Sequence, residues 1–132
     1  MTLFVDTSAL YALMDRDDLN HERARRFWIE LSPDEPLLTH DYVLVETSAL
    51  VQRRLGIEAL QTLLDELTLP ISTVFVDRVM HDAAVSGVLN ARVRQVSLVD
   101  VVSFEVMRRA GVRAAFTFDD HFAQFGFELR PD

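Results

Sequence analysis

Four carboxylates stand out as the residues able to do chemistry: Asp6, Glu46, Asp100 and Asp119 each sit in an apolar stretch where a solvated acid is not expected. Asp6 ends the run Leu3-Phe4-Val5, and Asp119 follows Ala114-Ala115-Phe116-Thr117-Phe118. Glu46 is the only charge between Asp41 and Arg53, and Asp100 the only charge between Arg94 and Glu105. A carboxylate taken from water without a partner is costly, and it must find a cation, a metal or a proton. Carboxylates that converge repel one another unless a divalent cation lies among them. An all-oxygen donor set of this kind suits magnesium or manganese and not zinc.

Every one of these acids also has a purely structural reading. Asp6 and Asp119 are good N-caps for the segments that follow them, with Asp120 competing for the second role. Ser97-Leu-Val-Asp100 fits a capping box, although glutamate or glutamine is the usual third residue. Glu46 shares a helix face with Val43 and Leu50, an arrangement that points it inward, where an arginine could pair with it. Each explanation serves for one residue; none accounts for the set.

The elements that must position these acids follow from periodicity. Leu3-Phe4-Val5, Leu37-Leu38-Thr39, Ile71 to Val76 and Ala114 to Phe118 read as strands, with Phe127-Glu128-Leu129 as a final edge strand. Between them the spacing predicts helices over 9–14, 20–31, 41–55, 57–67, 77–93 and 97–110, with Gly56 and Gly111 as punctuation. Met80, Ala83, Ala84, Gly87, Val88 and Ala91 include enough small residues to predict close packing of that helix on a neighbour. Alternating strands and helices give an α/β class with a mainly parallel sheet of four to five strands, flanked by helices on both sides. Parallel strands would put Asp6 and Asp119 on one sheet edge, where a helix N-terminus bearing Asp100 can also lie.

Composition narrows the function further. The 132 residues fit one domain spanning 1–132, with 49% hydrophobic and 26% charged residues, a globular balance. The absence of cysteine excludes disulfides, thiolate catalysis and zinc–thiolate sites. The longest uncharged run, Leu67 to Val76, contains Pro70 and is far shorter than the roughly 20 residues of a membrane span. With no signal peptide visible at Met-Thr-Leu-Phe-Val-Asp, a soluble cytoplasmic protein is expected. The net charge of −8 argues against a nucleic-acid partner, although all 13 bases are arginine, which matches phosphate geometry better than lysine. His21, His40, His81 and His121 are scattered without metal-site spacing, and His121, though close to Asp119, is assigned to the surface.

In this order the motifs resemble the PIN-domain nucleases. The matching stretches are Phe4-Val5-Asp6-Thr7-Ser8-Ala9-Leu10, Val43-Leu44-Val45-Glu46, Ser97-Leu98-Val99-Asp100 and Thr117-Phe118-Asp119-Asp120-His121-Phe122. Together they cover nearly the whole chain, and its length is similar to the toxin branch of the family, the VapC-like ribonucleases of type II toxin–antitoxin systems. The resemblance implies Mg2+- or Mn2+-dependent endonucleolytic hydrolysis of RNA. Asp6 and Asp100 would be the principal metal ligands, with Glu46 and Asp119 completing the set or orienting water, and Thr7, Ser8 and Thr117 behind them. It also implies a cognate antitoxin, in a homodimer or hetero-oligomer, that lays a basic segment in the acidic groove and an amphipathic helix on the early helices around Leu10 to Leu31, Trp28 included. A standalone RNA-processing nuclease and a silent PIN-fold binding module remain alternatives. Aspartyl-phosphate enzymes do not: Ser8 stands where the phosphatases need a second acid, and the lysine that receiver domains need is missing.

Overall fold

The structure is a computed structural model that describes all 132 residues. Five strands, β1 (Leu3–Val5), β2 (Leu37–His40), β3 (Ile71–Val74), β4 (Ala114–Phe116) and β5 (Glu128–Arg130), form one sheet in the order β3-β2-β1-β4-β5. Every neighbouring pair is parallel. Seven α-helices connect them: α1 (Thr7–Met14), α2 (His21–Glu30), α3 (Asp41–Leu55), α4 (Ile57–Thr62), α5 (Arg78–Ala91), α6 (Leu98–Ala110) and α7 (His121–Gln124). α4 runs on into a π-helical turn over Leu63–Leu67.

Leu3, Phe4 and Val5 are all buried, as are Ala114, Ala115 and Phe116, so the sheet is covered on both faces. The register pairs Phe4 with Ala115 and Val5 with Phe116, which turns the two phenylalanines to opposite faces. Phe116 packs against Phe27 and Trp28 of α2, with ring centroids 4.8 and 6.2 Å away. Phe4 packs against Phe122 of α7, which in turn meets Phe104 of α6 edge-on at 5.0 Å. The core is thus two apolar layers clamped on a short central strand pair.

The expected small-residue contact is present. A methyl group placed on Gly87 of α5 would stand 3.1 Å from Val101 Cγ1 of α6, so the two helices meet at this glycine. Two strands are shorter than their sequence suggests. β3 stops at Val74 because Asp41 Oδ1 accepts the Val76 N–H at 2.9 Å, leaving Phe75 exposed. β4 stops at Phe116 because the Phe118 and Asp119 amides are taken by the Ser8 and Thr117 hydroxyls. α5 ends before Val93, at Arg92, which adopts a left-handed φ of 52°.

The chain runs outward from β1 to β3, then crosses back to place β4 on the other side of β1. The reversal point lies between β1 and β4, and the crevice beyond their carboxyl ends is where open α/β sheets bind ligands.

Candidate active site

Asp6 leaves the end of β1 and is 4% exposed. Its Oδ2 accepts the Thr117 hydroxyl at 2.9 Å, the Ser8 hydroxyl at 3.0 Å and, at 3.4 Å, the Ser8 N–H of α1. The two hydroxyls also lie 3.1 Å apart, but each has one proton and both are given to Asp6, so that approach is a contact without its own proton. Asp6 Oδ1 accepts no hydrogen bond, and no unpartnered side-chain oxygen is buried, so this oxygen opens to the crevice. Burial is the main force on Asp6, raising its pKa from 3.8 to about 6; the Thr117 and Ser8 bonds pull the other way, and Asp100 adds repulsion. The residue therefore caps α1 and faces the crevice at once.

Asp100 and Asp119 follow the same plan of one oxygen for structure and one left free. Asp100 completes a full capping box: its N–H donates to Ser97 Oγ at 3.1 Å, and its Oδ2 accepts the Ser97 N–H at 3.0 Å. Burial and the nearby charges of Asp119 and Glu46 raise its pKa, against the pull of the Ser97 bonds. Asp119 Oδ1 accepts the His121 N–H at 2.9 Å and lies 2.7 Å from His121 Nδ1. Glu46, in the middle of α3, is half-buried, accepts no hydrogen bond and has no ion-pair partner, so the alternative reading of an arginine pair is not met. α3 is held to α1 by Thr47, whose hydroxyl donates to Thr7 Oγ1 at 3.1 Å, while Thr7 donates to the Val43 carbonyl at 3.5 Å. Thr7 thus steadies the helix that carries Glu46, whereas Ser8 and Thr117 hold Asp6 directly.

Asp6, Glu46, Asp100 and Asp119 line one cavity of about 500 Å³, together with Asp18, Asn20, Gln95 and Phe118. All four acids singled out by the sequence are brought together. The structural readings of Asp6 and Asp100 are also correct, since capping and convergence use different oxygens of the same carboxylates; at α7 the N-cap position falls to Asp120, and Asp119 accepts the His121 N–H from one residue further back. Two residues were missed. Asp18 was not singled out, and only the fold carries it to the cavity lining. His121 is not a free surface residue: Asp100, Asp119 and His121 can each offer a ligand atom within 4.8 Å of one another, a grouping able to hold a metal ion. Its two-residue spacing from Asp119 was the available signal.

His40, at the start of α3, is fully buried outside this cavity. Its Nδ1 accepts the Val43 N–H at 3.3 Å and its Nε2 lies 2.8 Å from Ser103 Oγ, whose proton goes to the Val99 carbonyl. Those partners require the neutral tautomer with hydrogen on Nε2. Burial accordingly lowers its pKa from 6.5 to about 4.

Known proteins resemble this chain over nearly its whole length. The 23S rRNA-specific endonuclease VapC20 of Mycobacterium tuberculosis is 34% identical over 132 residues, covering 98% of this chain and 99% of its own length. The crystal structure of that VapC20, a sarcin–ricin loop cleaving toxin, superposes with a TM-score of 0.85 at 32% identity over 95% of both chains. VapBC2 from Rickettsia felis, bound to a DNA fragment from their promoter, matches with a TM-score of 0.72 at 11% identity, covering 98% of each chain. FitAcB from Neisseria gonorrhoeae matches with 0.71 at 12%, over 98% of this chain and 96% of its own. These last two share the fold. The PIN domain family model matches residues 3–128, and the chain belongs to that family.

Proposed function

We propose that this protein is a divalent-cation-dependent endoribonuclease and the toxin component of a toxin–antitoxin pair, acting in the cytoplasm as one domain over residues 1–132. The observation that carries the chemistry is the set of free carboxylate oxygens on Asp6, Asp100, Asp119 and Glu46 around one cavity. Burial and mutual repulsion raise the pKa of both Asp6 and Asp100, so the cavity is short of positive charge. A hard cation with oxygen ligands fits that donor set, and Mg2+ or Mn2+ is the expected ion. Asp6 and Asp100 would hold it, with Glu46 and Asp119 completing the shell or receiving a proton from the attacking water. When bound, the cation lowers the pKa of water and stabilises charge on the phosphate and the leaving oxygen. Ser8 and Thr117 keep Asp6 in one rotamer, and His121 keeps Asp119 in one, so the acids are ordered before substrate arrives.

The toxin role rests on the likeness to VapC20 over nearly all of both chains. A cognate antitoxin would occlude the acidic cavity with a basic segment and seat an amphipathic helix in an apolar cleft. A cleft of about 450 Å³ lined by Leu13, Met14, Trp28, Leu67 and Pro70 fits that helix. Leu10 is fully buried and takes no part in such a contact, whereas Trp28 both lines the cleft and stacks on Phe116. A homodimer, or a hetero-oligomer with the antitoxin, is the expected assembly.

The test incubates purified protein with 23S rRNA and other RNAs in Mg2+, in Mn2+ and in excess EDTA. Discrete cleavage with either ion and none in EDTA is expected; full activity in EDTA would overturn the metal mechanism. Expression without a partner should arrest growth of a naive host. Harmless expression of a protein whose RNA cleavage is intact would favour a standalone RNA-processing enzyme.

A further inference from the structure

A protein of net charge −8 needs a local positive seat if a polyanion is to approach a carboxylate cavity. Arg25, Arg78, Arg108, Arg109 and Arg130 are paired with carboxylates. The other eight of the 13 arginines are not, and two of these, Arg23 and Arg26, stand together. Three residues apart on α2, they share a helix face, and both line a second cleft of about 190 Å³ with Phe27, Glu30 and Pro131. Two guanidiniums there face a single carboxylate.

This cleft meets the acidic cavity at one place. The Arg23 guanidinium carbon lies 5.4 Å from the centroid of the Phe118 ring, and Phe118 lines the acidic cavity beside Asp119. The ring is itself held: the Phe118 N–H donates to Ser8 Oγ at 2.9 Å, and Phe116 meets the ring edge-on at 6.2 Å. A guanidinium resting on a fixed ring has lost part of its rotamer freedom already, so it binds an anion at a smaller entropic cost.

We propose that Arg23 and Arg26 form the seat for an RNA phosphate flanking the one at the carboxylate cavity, with Phe118 as the residue that orients Arg23. The strand then crosses from the cavity over the end of β4 toward α2. The proposal rests on the nuclease reading above and adds the direction in which the substrate lies.

The experiment measures binding of a fluorescein-labelled single-stranded RNA oligonucleotide by anisotropy, with Ca2+ replacing Mg2+ to slow hydrolysis, over a series of salt concentrations. Each phosphate lost removes about 0.7 from the slope of log affinity against log salt for a single strand, so Arg23→Ala with Arg26→Ala, which empties the seat of one phosphate, should flatten it by about 0.7. The penalty is then about 2.6-fold larger at about 50 mM than at about 200 mM salt. Arg25→Ala, on the same helix and losing one positive charge as each of those substitutions does, should stay within about twofold of the parent at every salt. Phe118→Leu should weaken binding in the parent and have no further effect once Arg23 is alanine, the coupling that a double-mutant cycle reads. An Arg25→Ala loss equal to that of the Arg23/Arg26 pair, or a Phe118→Leu effect undiminished without Arg23, would overturn the proposal while leaving a nuclease. A parent protein that neither binds nor cleaves RNA would instead overturn the reading on which it rests.

Discussion

Replacing Asp6 with asparagine separates a carboxylate built to meet a cation from one that only caps α1. Asparagine caps a helix as well as aspartate does, and its carbonyl oxygen can still accept the Thr117 and Ser8 hydroxyls. What disappears is the charge. With its pKa raised from 3.8 to about 6, native Asp6 keeps a proton that the unfolded chain has already released. Stability therefore falls as pH rises through that window, and above it the ionised native state is worse off by about 3 kcal/mol. Weaker hydrogen bonds and a new amide N–H in a buried site offset about 1–2 kcal/mol of that relief. The metal-free Asp6→Asn protein should thus melt roughly 3–6 °C above the parent at neutral pH, for a gain of about 1–2 kcal/mol. The same substitution should abolish RNA cleavage. The assay is thermal melting in EDTA beside a cleavage assay in Mg2+. A variant that melts lower than the parent and still cleaves RNA would refute the reasoning and leave Asp6 as a cap.

Three further outcomes follow. His40 stays neutral in the fold down to about pH 4 while the unfolded chain takes up a proton below 6.5, so its contribution to stability is lost as pH falls through that span. That slope opposes the slope from Asp6, and urea unfolding midpoints should fall more steeply with acid in Asp6→Asn than in the parent; parallel profiles would count against both assignments. Gly87→Val should destabilise by about 2–3 kcal/mol in urea denaturation, because even a methyl group there stands 3.1 Å from Val101 Cγ1. Glu46→Gln should leave metal-free stability unchanged or improved, since no cation partners the carboxylate; a loss of about 3–5 kcal/mol would reveal a buried ion pair.

Most of the framework is legible in the sequence because the strands are short, fully buried runs and the helices carry clear punctuation. α3 spans Asp41–Leu55 as its isolated periodicity and Gly56 predict. The misjudged ends have a common physical origin. Asp41, Ser8 and Thr117 compete with the sheet ladder for backbone N–H groups, and apolar content at Phe75 and Phe118 cannot report that competition. The acids were legible for a different reason: a lone charge in an apolar run is costly wherever the chain goes. Their division of labour was not, because one-dimensional reasoning treated capping and convergence as rivals. Asp100 does both, through Oδ2 to Ser97 and a second oxygen free at the cavity. Asp18 escaped because nothing local marks it as exceptional, and His121 because its closeness to Asp119 was set against four histidines scattered without metal-site spacing.

The central claim is that Asp6, Glu46, Asp100 and Asp119 act as one cation site. The most direct measurement is the rise in melting temperature on adding Mn2+, compared between the parent and the single variants Asp6→Asn, Glu46→Gln, Asp100→Asn and Asp119→Asn. A cation that binds only the folded state stabilises by an amount set by its concentration over its dissociation constant, about 2.7 kcal/mol at a hundredfold excess. The parent should gain stability with Mn2+ in that manner, and every variant should lose most of the gain while remaining folded. Undiminished Mn2+ stabilisation in Asp6→Asn and Asp100→Asn, or no Mn2+ response in the parent at all, would contradict a shared site.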